Sequence, residues 1–416
     1  MSSGDISWII TATALVMLMT PALGFFYGGL VRKKNLVSTI VQCFVIFAIM
    51  SIVWALWGYS LVFGQSINGF IGFSPGLLGM GTLGIHDVNS ALAPAIPELL
   101  FFAFQLKFAA ITPALIIGAC AERFRFKSLL IFMILWSTLI YAPIAHWVWN
   151  PDGLLRGLGA IDFAGGIVVH ISAGISALAA ALVIGRRKGC AVPWKTQMRS
   201  LEHSTEFKPT NIPYVLLGAA LLWFGWFGFN AGSALAANDL AVLALVTTNL
   251  SAAAAAVSWM VADWLIKGNP SAVGIAIGAV VGLVAITPAA GYVSVSSALI
   301  IGLAAGVISN LVVNWRVGRS RIDDTLDVFA CHGVGGLWGS IATGIFASAA
   351  IGGVNGALFG NLGQLVAQLI AVGVVVPFAF FGSYLLLKFV NLFSPLRVSE
   401  KAEDAGLDLS EHGEEA

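Results

Sequence analysis

The sequence predicts an all-α, polytopic membrane protein with eleven transmembrane helices. Of its 416 residues, 58% are hydrophobic and only 10% are charged, and the mean hydropathy is +0.92. Soluble domains carry about 25% charged residues, so this chain has too little polar surface to face water on all sides. Apolar runs of about 20 residues recur along it, and a helix of that length crosses a bilayer. The net charge of +1 gives no reason to expect a nucleic-acid partner.

Eleven apolar runs define the predicted helices. They cover residues 6–30, 36–63, 99–121, 129–149, 163–185, 213–231, 240–266, 272–288, 295–315, 328–347 and 365–389. The N-terminus, MSSGDISW, lacks the basic start of a signal peptide, so we expect the first run to be a spanning helix. Gly24 and Gly28 in that helix have the spacing that lets membrane helices approach closely. The eighth and tenth runs are short and rich in glycine.

Lysine and arginine residues predict the orientation of these helices, because cytoplasmic loops carry an excess of them. With the N-terminus outside, the inner connections are residues 32–34, 122–127, 186–208, 267, 316–321 and the tail from residue 388 onward. Of the 21 lysines and arginines, only Lys107 and Arg156 fall elsewhere. We therefore predict an N-out, C-in protein with a membrane domain over residues 1–392 and a cytoplasmic tail over residues 393–416.

Two runs place an acid before an apolar, glycine-rich segment that contains one histidine. They are DFAGGIVVHISAG at residues 162–174 and DVFACHGVGG at residues 327–336. An ionisable group inside a membrane is costly to bury, so each histidine is a candidate functional residue. A lone helix histidine is more often a structural group, but two in matching settings favour a functional pair.

In the predicted topology, the two runs enter the membrane from opposite faces. Asp162 then caps a helix at the outer mouth, and Asp327 caps one at the inner mouth. This pattern predicts an inverted repeat of five plus five helices and one final helix, with the functional site near the midplane. The neighbouring acids Asp323 and Asp324 are interpreted as cytoplasmic caps and surface charge.

Several further runs carry a family resemblance. They are FQLKFAAITPALIIGACAERFRF at residues 104–126, AHWVW at 145–149, FGWFGFNAGS at 224–233, AITPAAGYV at 285–293 and GLDLSEHGE in the tail. With the two acid–histidine runs, they resemble the ammonium transporter (Amt/Mep/Rh) family, specifically its bacterial and archaeal Amt branch. The resemblance covers nearly the whole chain and implies a homotrimer in the cell membrane, with one pore per subunit for ammonium and methylammonium.

The resemblance also implies roles for residues at the matching motif positions. The implied outer recruitment site is Trp149, Phe104 and Ser233, and the implied phenyl gate is Phe108 and Phe229. The implied pore imidazoles are His170 and His332, the essential acid is Asp162, and a further lumen position is Thr287. The resemblance further implies that the tail docks on the cytoplasmic face, where a PII-type signalling protein can plug the pores.

The chemistry of these residue types fits that assignment. Aromatic faces attract a partly desolvated cation by about 1–2 kcal/mol. Carrying the intact ion through a dry lumen costs from roughly 3 to more than about 10 kcal/mol, whereas releasing a proton from a group of pKa about 9 costs roughly 3 kcal/mol at pH 7. A pore that passes only the neutral molecule excludes potassium. Two desolvated, neutral imidazoles can share one N–H···N bond and still offer sites to ammonia.

Structural interpretations of the same residues stay open. The three phenylalanines can be ordinary packing residues, Trp149 can belong to an interfacial aromatic belt, and Asp162 can simply cap its helix. Lys107 departs from the family pattern, which usually has a neutral residue before the gate phenylalanine. It points about 100° away from Phe108 on the helix, so we interpret it as snorkelling or as paired at a subunit contact. The alternative is that its charge repels ammonium and slows conduction.

Two other functional classes stay open beside a transporter. One is an ammonium receptor that signals to a cytoplasmic partner through the tail or the basic loop 186–208. The other is a Rh-like channel for neutral ammonia or carbon dioxide, which the aromatic recruitment residues disfavour. No nucleotide motif or catalytic triad occurs, and the four cysteines lack metal-ligand spacing, so we expect neither an enzyme nor a cofactor or metal.

Overall fold

The computed structural model describes residues 2–190 and 207–416, and most of these residues are helical. Within these ranges, nine helices are long and apolar enough to cross a membrane. They are Ser3–Leu30, Lys33–Phe63, Glu98–Cys120, Phe126–Gly157, Gly166–Ile184, Ile212–Gly232, Asp239–Lys267, Val295–Arg319 and Leu362–Phe393. Two shorter helical segments are Ala272–Ile286 and the pair Phe329–Val334 and Gly335–Phe346. Helical segments therefore lie at every predicted position, and we number them α1 to α11 in chain order.

Several of these helices are not regular throughout. Pro21, Pro113 and Pro377 lie inside α1, α3 and α11. Within these eleven helices the backbone is wound as a π-helix in four places, at Trp54–Gly58, Ser137–Tyr141, Gly166–Ile171 and Phe329–Val334. Such bulges often mark functional sites, and the last two carry the two histidines singled out by the sequence.

Short elements connect the long helices. A two-stranded antiparallel hairpin pairs Ser66–Ile67 with Ile71–Gly72. Other connecting elements are the helical turns Pro75–Met80, Ala349–Gly352 and Ala357–Phe359. The turns Lys33–Asn35 and Leu154–Gly157 form the start of α2 and the end of α4. Residues 191–206, which form most of the basic loop predicted to receive a partner, lie outside the described residues.

Glycines bring two pairs of helices into direct backbone contact. A Cβ atom at Gly218 of α6 would overlap the backbone nitrogen of Phe26 in α1, so these helices pack without intervening side chains. In the same way, a Cβ atom at Gly174 of α5 would overlap the backbone nitrogen of Gly333 in α10. Small residues allow this approach between membrane helices. The second contact holds the two histidine-bearing segments together.

The bundle end at which α3 stops carries a buried network of charges. Glu122 is 1% exposed, and its carboxylate pairs with Arg32 at 2.9 Å and with Arg187 at 3.2 Å. Arg187 also pairs with Asp323 at 2.9 Å. Burial would raise the pKa of both carboxyls, but the neighbouring guanidiniums outweigh it and hold the pKa of Glu122 and of Asp323 below their usual range. Asp323 is therefore part of this network, and its interpretation as surface charge is wrong.

The C-terminal tail packs on the same end of the bundle. It forms a short helix at Glu400–Ala405, which we call α12, and a π turn at Asp408–His412. The Asp408 carboxylate accepts hydrogen bonds from the amides of Val37 and Ser38, at 3.1 and 2.7 Å, in the first turn of α2. Lys188 adds an ion pair to Asp404 at 2.6 Å. The tail thus satisfies the free N–H groups at the start of a long helix.

Candidate functional site

A cavity of about 210 Å³ opens at the bundle end where α3 begins and α4 ends, and we call it the mouth cavity. Six of its 13 lining residues are aromatic, and four others carry polar or charged side chains. The residues are Phe63, Ala91, Leu92, Phe101, Gln105, Phe108, Trp149, Arg156, Asp162, Phe163, Ser233, Leu235 and Tyr292. Four of the residues predicted to act together therefore meet here, namely Phe108, Trp149, Asp162 and Ser233.

Asp162 organises one wall of the mouth cavity. Its carboxylate accepts hydrogen bonds from four consecutive backbone amides, those of residues 165–168, at 2.7 to 3.1 Å. Gly165 has φ +115°, a left-handed conformation that suits glycine and turns these amides toward the acid. The carbonyl oxygen of Asp162 accepts the indole N–H of Trp149 at 3.2 Å. One residue therefore caps α5 and fixes the Trp149 ring.

Two stacked phenyl rings form the floor of the mouth cavity. The rings of Phe108 and Phe229 lie 4.3 Å apart between centroids at an angle of 35°, and both side chains are about 1% exposed. Trp149 meets Phe108 edge-on at 5.8 Å and 90°. The Ser233 hydroxyl donates to the carbonyl of Phe229 at 2.8 Å, which leaves its oxygen lone pairs to accept from a ligand. A cation in the cavity would therefore meet aromatic faces and one hydroxyl acceptor.

Behind the rings lies a second, much smaller cavity, which we call the histidine cavity. Its volume is about 10 Å³, room for about one water-sized molecule. Apart from the two imidazoles, the lining is apolar or aromatic. It consists of Met19, Leu23, Phe26, Ile111, Leu115, Val169, His170, Leu222, Trp226, Phe229, Val280 and His332.

The two imidazoles in the histidine cavity form a close pair. The Nδ1 atoms of His170 and His332 are 3.3 Å apart, and the side chains are 1% and 3% exposed. One ring must donate its Nδ1–H and the other accept, because two protonated nitrogens would repel. Among the described residues, Nε2 of His170 has no hydrogen-bond partner. The pair therefore keeps an unused polar nitrogen beside an otherwise apolar space.

Trp226 holds one imidazole in place. Its ring stacks on His170 at 5.3 Å and 26°, and its indole N–H donates to the Thr287 hydroxyl at 2.9 Å. The Thr287 hydroxyl in turn donates to the carbonyl of Leu283 at 2.7 Å. Thr287 thus acts through Trp226 and lines neither cavity.

The acid that caps the second histidine segment is Asp324. Its two carboxylate oxygens accept the amides of Val328 and Phe329, at 3.1 and 2.8 Å, and the side chain is 1% exposed. Asp327 has φ +58° and pairs with Arg316 at 2.7 Å instead. The prediction that Asp327 caps this helix is therefore wrong. Asp324 is the cap, as one part of its interpretation held, but it is buried and is not surface charge. Asp324 precedes His332 by eight residues, as Asp162 precedes His170.

Besides Thr287, two more predicted site residues lie outside both cavities. Phe104 is fully buried behind Phe108, with ring centroids 5.0 Å apart, and packs against Gly232. Lys107 is half-buried on another face of α3, with its Nζ atom 5.2 Å from the centre of the Phe47 ring on α2. Its position matches the expectation that it points away from Phe108.

Sequence reasoning missed several lining residues of the mouth cavity. Phe101 and Gln105 precede Phe108 on the same face of α3, so helical spacing could have identified them. Arg156 had a signal of its own, as a basic residue outside the inner loops. Tyr292 lies within AITPAAGYV, but no spacing rule links it to α3.

Comparison with known proteins places this architecture among described relatives. A sequence model of the Ammonium Transporter Family matches residues 7–416. The ammonium transporter Amt1 of Archaeoglobus fulgidus is 49% identical over 418 residues, which cover all of both chains. The crystal structure of Saccharomyces cerevisiae Mep2 superposes with a TM-score of 0.86 at 35% identity, over 96% of this chain and 88% of that one. A structure named Sensor Amt Protein superposes with a TM-score of 0.89 at 31% identity, over 98% of each chain.

Proposed function

The chain belongs to the ammonium transporter family, and on that premise we propose that it captures ammonium in the mouth cavity and conducts ammonia past the histidine pair. The ion binds against Trp149, Ser233 and the Phe108 ring, loses its proton near Asp162, and crosses the phenyl gate as a neutral molecule. The proton crosses separately, so net ammonium moves. Methylammonium follows the same path.

One observation carries this proposal: two imidazoles 3.3 Å apart, in a water-sized apolar space sealed from the mouth cavity by stacked phenyl rings. An aromatic mouth cavity suits a small cation, with a gain of about 1–2 kcal/mol after partial desolvation. The space behind the rings offers no carboxylate among its lining residues, so an intact ion would be costly there. A neutral, water-sized molecule with hydrogen-bonding capacity fits both cavities.

The proposed roles differ in how directly each residue meets the substrate. Trp149, Ser233, Phe108 and Phe229 contact it, and His170 and His332 line its path. Asp162 acts through its negative charge and the Trp149 ring, and Thr287 acts through Trp226. Phe104 supports the Phe108 ring from behind, and Lys107 stays outside the path.

We also propose the arrangement of the whole protein in the cell membrane. All eleven helices cross it, with the N-terminus outside and the tail of residues 393–416 in the cytoplasm. The first five helices and the next five form an inverted repeat, supported by the equal spacing of Asp162 to His170 and Asp324 to His332. Three copies assemble with one pore each, and a PII-type protein can meet the cytoplasmic face.

Currents on supported membranes test the transport proposal. Wild-type protein in vesicles should give a sustained current that saturates with ammonium and stays absent with potassium. His170→Ala should lose this selectivity or this current, because it removes one imidazole from the water-sized space. A potassium current equal to the ammonium current in the wild type would refute the proposal.

An ammonium receptor is the second candidate. The similarity to a structure named Sensor Amt Protein and the docked tail favour it. A receptor would give a brief binding transient without sustained charge movement, so the same recordings distinguish the two. A Rh-like neutral channel would move no charge and would ignore membrane potential.

A further inference from the structure

We infer that the positive charge of Arg156 repels cations from the mouth cavity and acts as what we call the guard. This repulsion weakens the capture of cations and so raises the ammonium concentration at half-saturation. The inference rests on the proposed function, since it concerns the same capture site. A positive charge beside a cation site weakens cation binding, so the position of Arg156 needs an explanation.

Arg156 stands directly beside the proposed capture residues. It lies on the turn Leu154–Gly157, is exposed, and lines the mouth cavity with Asp162 and Ser233. Its Nη1 atom donates to the carbonyl of Trp149 at 3.2 Å, which brings the guanidinium to the residue proposed to hold the cation. Within residues 2–190 and 207–416, no carboxylate oxygen lies within 4.0 Å of this guanidinium. Its charge is therefore not neutralised by an ion pair in the described chain.

The surrounding groups leave this charge effective inside the cavity. The carboxylate of Asp162 is committed to four helix amides rather than to Arg156. The Tyr292 phenol lines the same cavity: burial raises its pKa, the Arg156 charge lowers it, and the Asp162 charge raises it, so both charges act inside the cavity. The positive charge of Arg156 that favours the ionised phenol would disfavour a bound cation, because like charges repel.

The size of the effect follows from the size of the cavity. A space of about 210 Å³ is roughly 7 Å across, so an ammonium ion held across the cavity from Arg156 would lie about that distance from the guanidinium. With an effective dielectric constant of about 40 to 80, Coulomb repulsion at roughly 7 Å weakens binding about three- to eight-fold. Salt screens charges exposed to water over about 8 to 10 Å at physiological ionic strength. The effect should therefore be largest in dilute buffer.

Arg156→Gln and Arg156→Lys separate charge from structure. Glutamine removes the charge but can still donate to the Trp149 carbonyl, whereas lysine keeps both. In supported-membrane currents at low ionic strength, Arg156→Gln should lower the half-saturating ammonium concentration about three- to eight-fold, without changing the maximal current. Raising the salt concentration should shrink this difference. Arg156→Lys should resemble the wild type, as should Lys388→Gln, which removes an exposed cation near the far end of α11.

Three outcomes would overturn the inference. An unchanged half-saturation in Arg156→Gln, beside a normal wild-type response, refutes the guard and leaves the proposed function standing. A higher half-saturation in both Arg156 variants shows that the residue only positions Trp149. A wild-type protein that gives no ammonium-dependent signal at all refutes the proposed function, and the guard with it.

Discussion

The four-amide cap of α5 makes Asp162→Asn an informative perturbation. Each carboxylate oxygen of Asp162 accepts two backbone N–H groups. Asparagine keeps one oxygen and presents an NH₂ group in place of the other, so two buried N–H groups lose their acceptor. A buried donor left unpaired costs about 1–3 kcal/mol, and the variant should lose about 2–6 kcal/mol of stability.

The second acid provides a matched control. Each oxygen of Asp324 accepts only one amide, from Val328 or Phe329, so Asp324→Asn leaves a single N–H group unpaired. The unpaired amide should cost about 1–3 kcal/mol, half the cost of the two unpaired amides in the first variant. Each substitution also removes one buried negative charge, so the difference between the two variants tests the count of amides better than either value alone.

Thermal unfolding of the purified protein in detergent at pH 7 measures this difference. Asp162→Asn should lower the unfolding temperature more than Asp324→Asn does. An Asp324→Asn variant that is as unstable as Asp162→Asn, or more so, would refute the reasoning from unpaired amides. The same two samples, tested for ammonium currents, then show whether Asp162 does more than cap its helix.

Three further predictions concern packing, charge and pH. Gly174→Ala should drive α5 away from Gly333 and separate the histidine pair, at a cost of about 1–3 kcal/mol in stability; a wild-type unfolding temperature together with a wild-type current would contradict it. Lys107→Met should leave ammonium uptake unchanged, because the Lys107 side chain lies on Phe47 outside the mouth cavity; a rise in flux would instead support repulsion by its charge. Burial raises the pKa of Asp324 to about 6, so the folded protein binds this proton more tightly than the unfolded chain, and stability should fall by about 3 kcal/mol in all as pH rises from below about 4 to above about 6. Unfolding measured over that range should show a flatter profile for Asp324→Asn, and identical profiles would rule the assignment out.

Hydropathy and motif spacing predicted most of the helical framework. Each apolar run of the sequence corresponds to a helical segment, because a chain this poor in charge must pair its backbone groups internally. The approach of His170 to His332 was also predictable, since each sits in an acid-led, glycine-rich run. The contact between Gly174 and Gly333, which sets the distance between the two histidines, could not be predicted, because local sequence does not show which glycines pack against each other.

The errors have physical causes that lie outside local sequence. Three acids, Asp323, Asp324 and Asp327, lie within one five-residue stretch before His332, and each could cap a helix. The choice falls on Asp324 because Asp327 turns into a left-handed conformation and pairs with Arg316 of α9. The family resemblance implied that Phe104 lies at the outer site with Trp149, but Phe104 packs against Gly232 of α6 instead. Such outcomes depend on a neighbouring helix that the local pattern does not contain.

The docked tail supplies the N-terminal cap of α2. The oxygens that complete its first turn come from Asp408, more than 300 residues away along the chain. Detaching the last residues would therefore uncover two amide groups at the start of a long apolar helix. A partner that displaces the tail has to supply another hydrogen-bond acceptor or admit water to these amides. Docking of the C-terminal tail is therefore coupled to fraying of α2, a helix near the opposite end of the sequence.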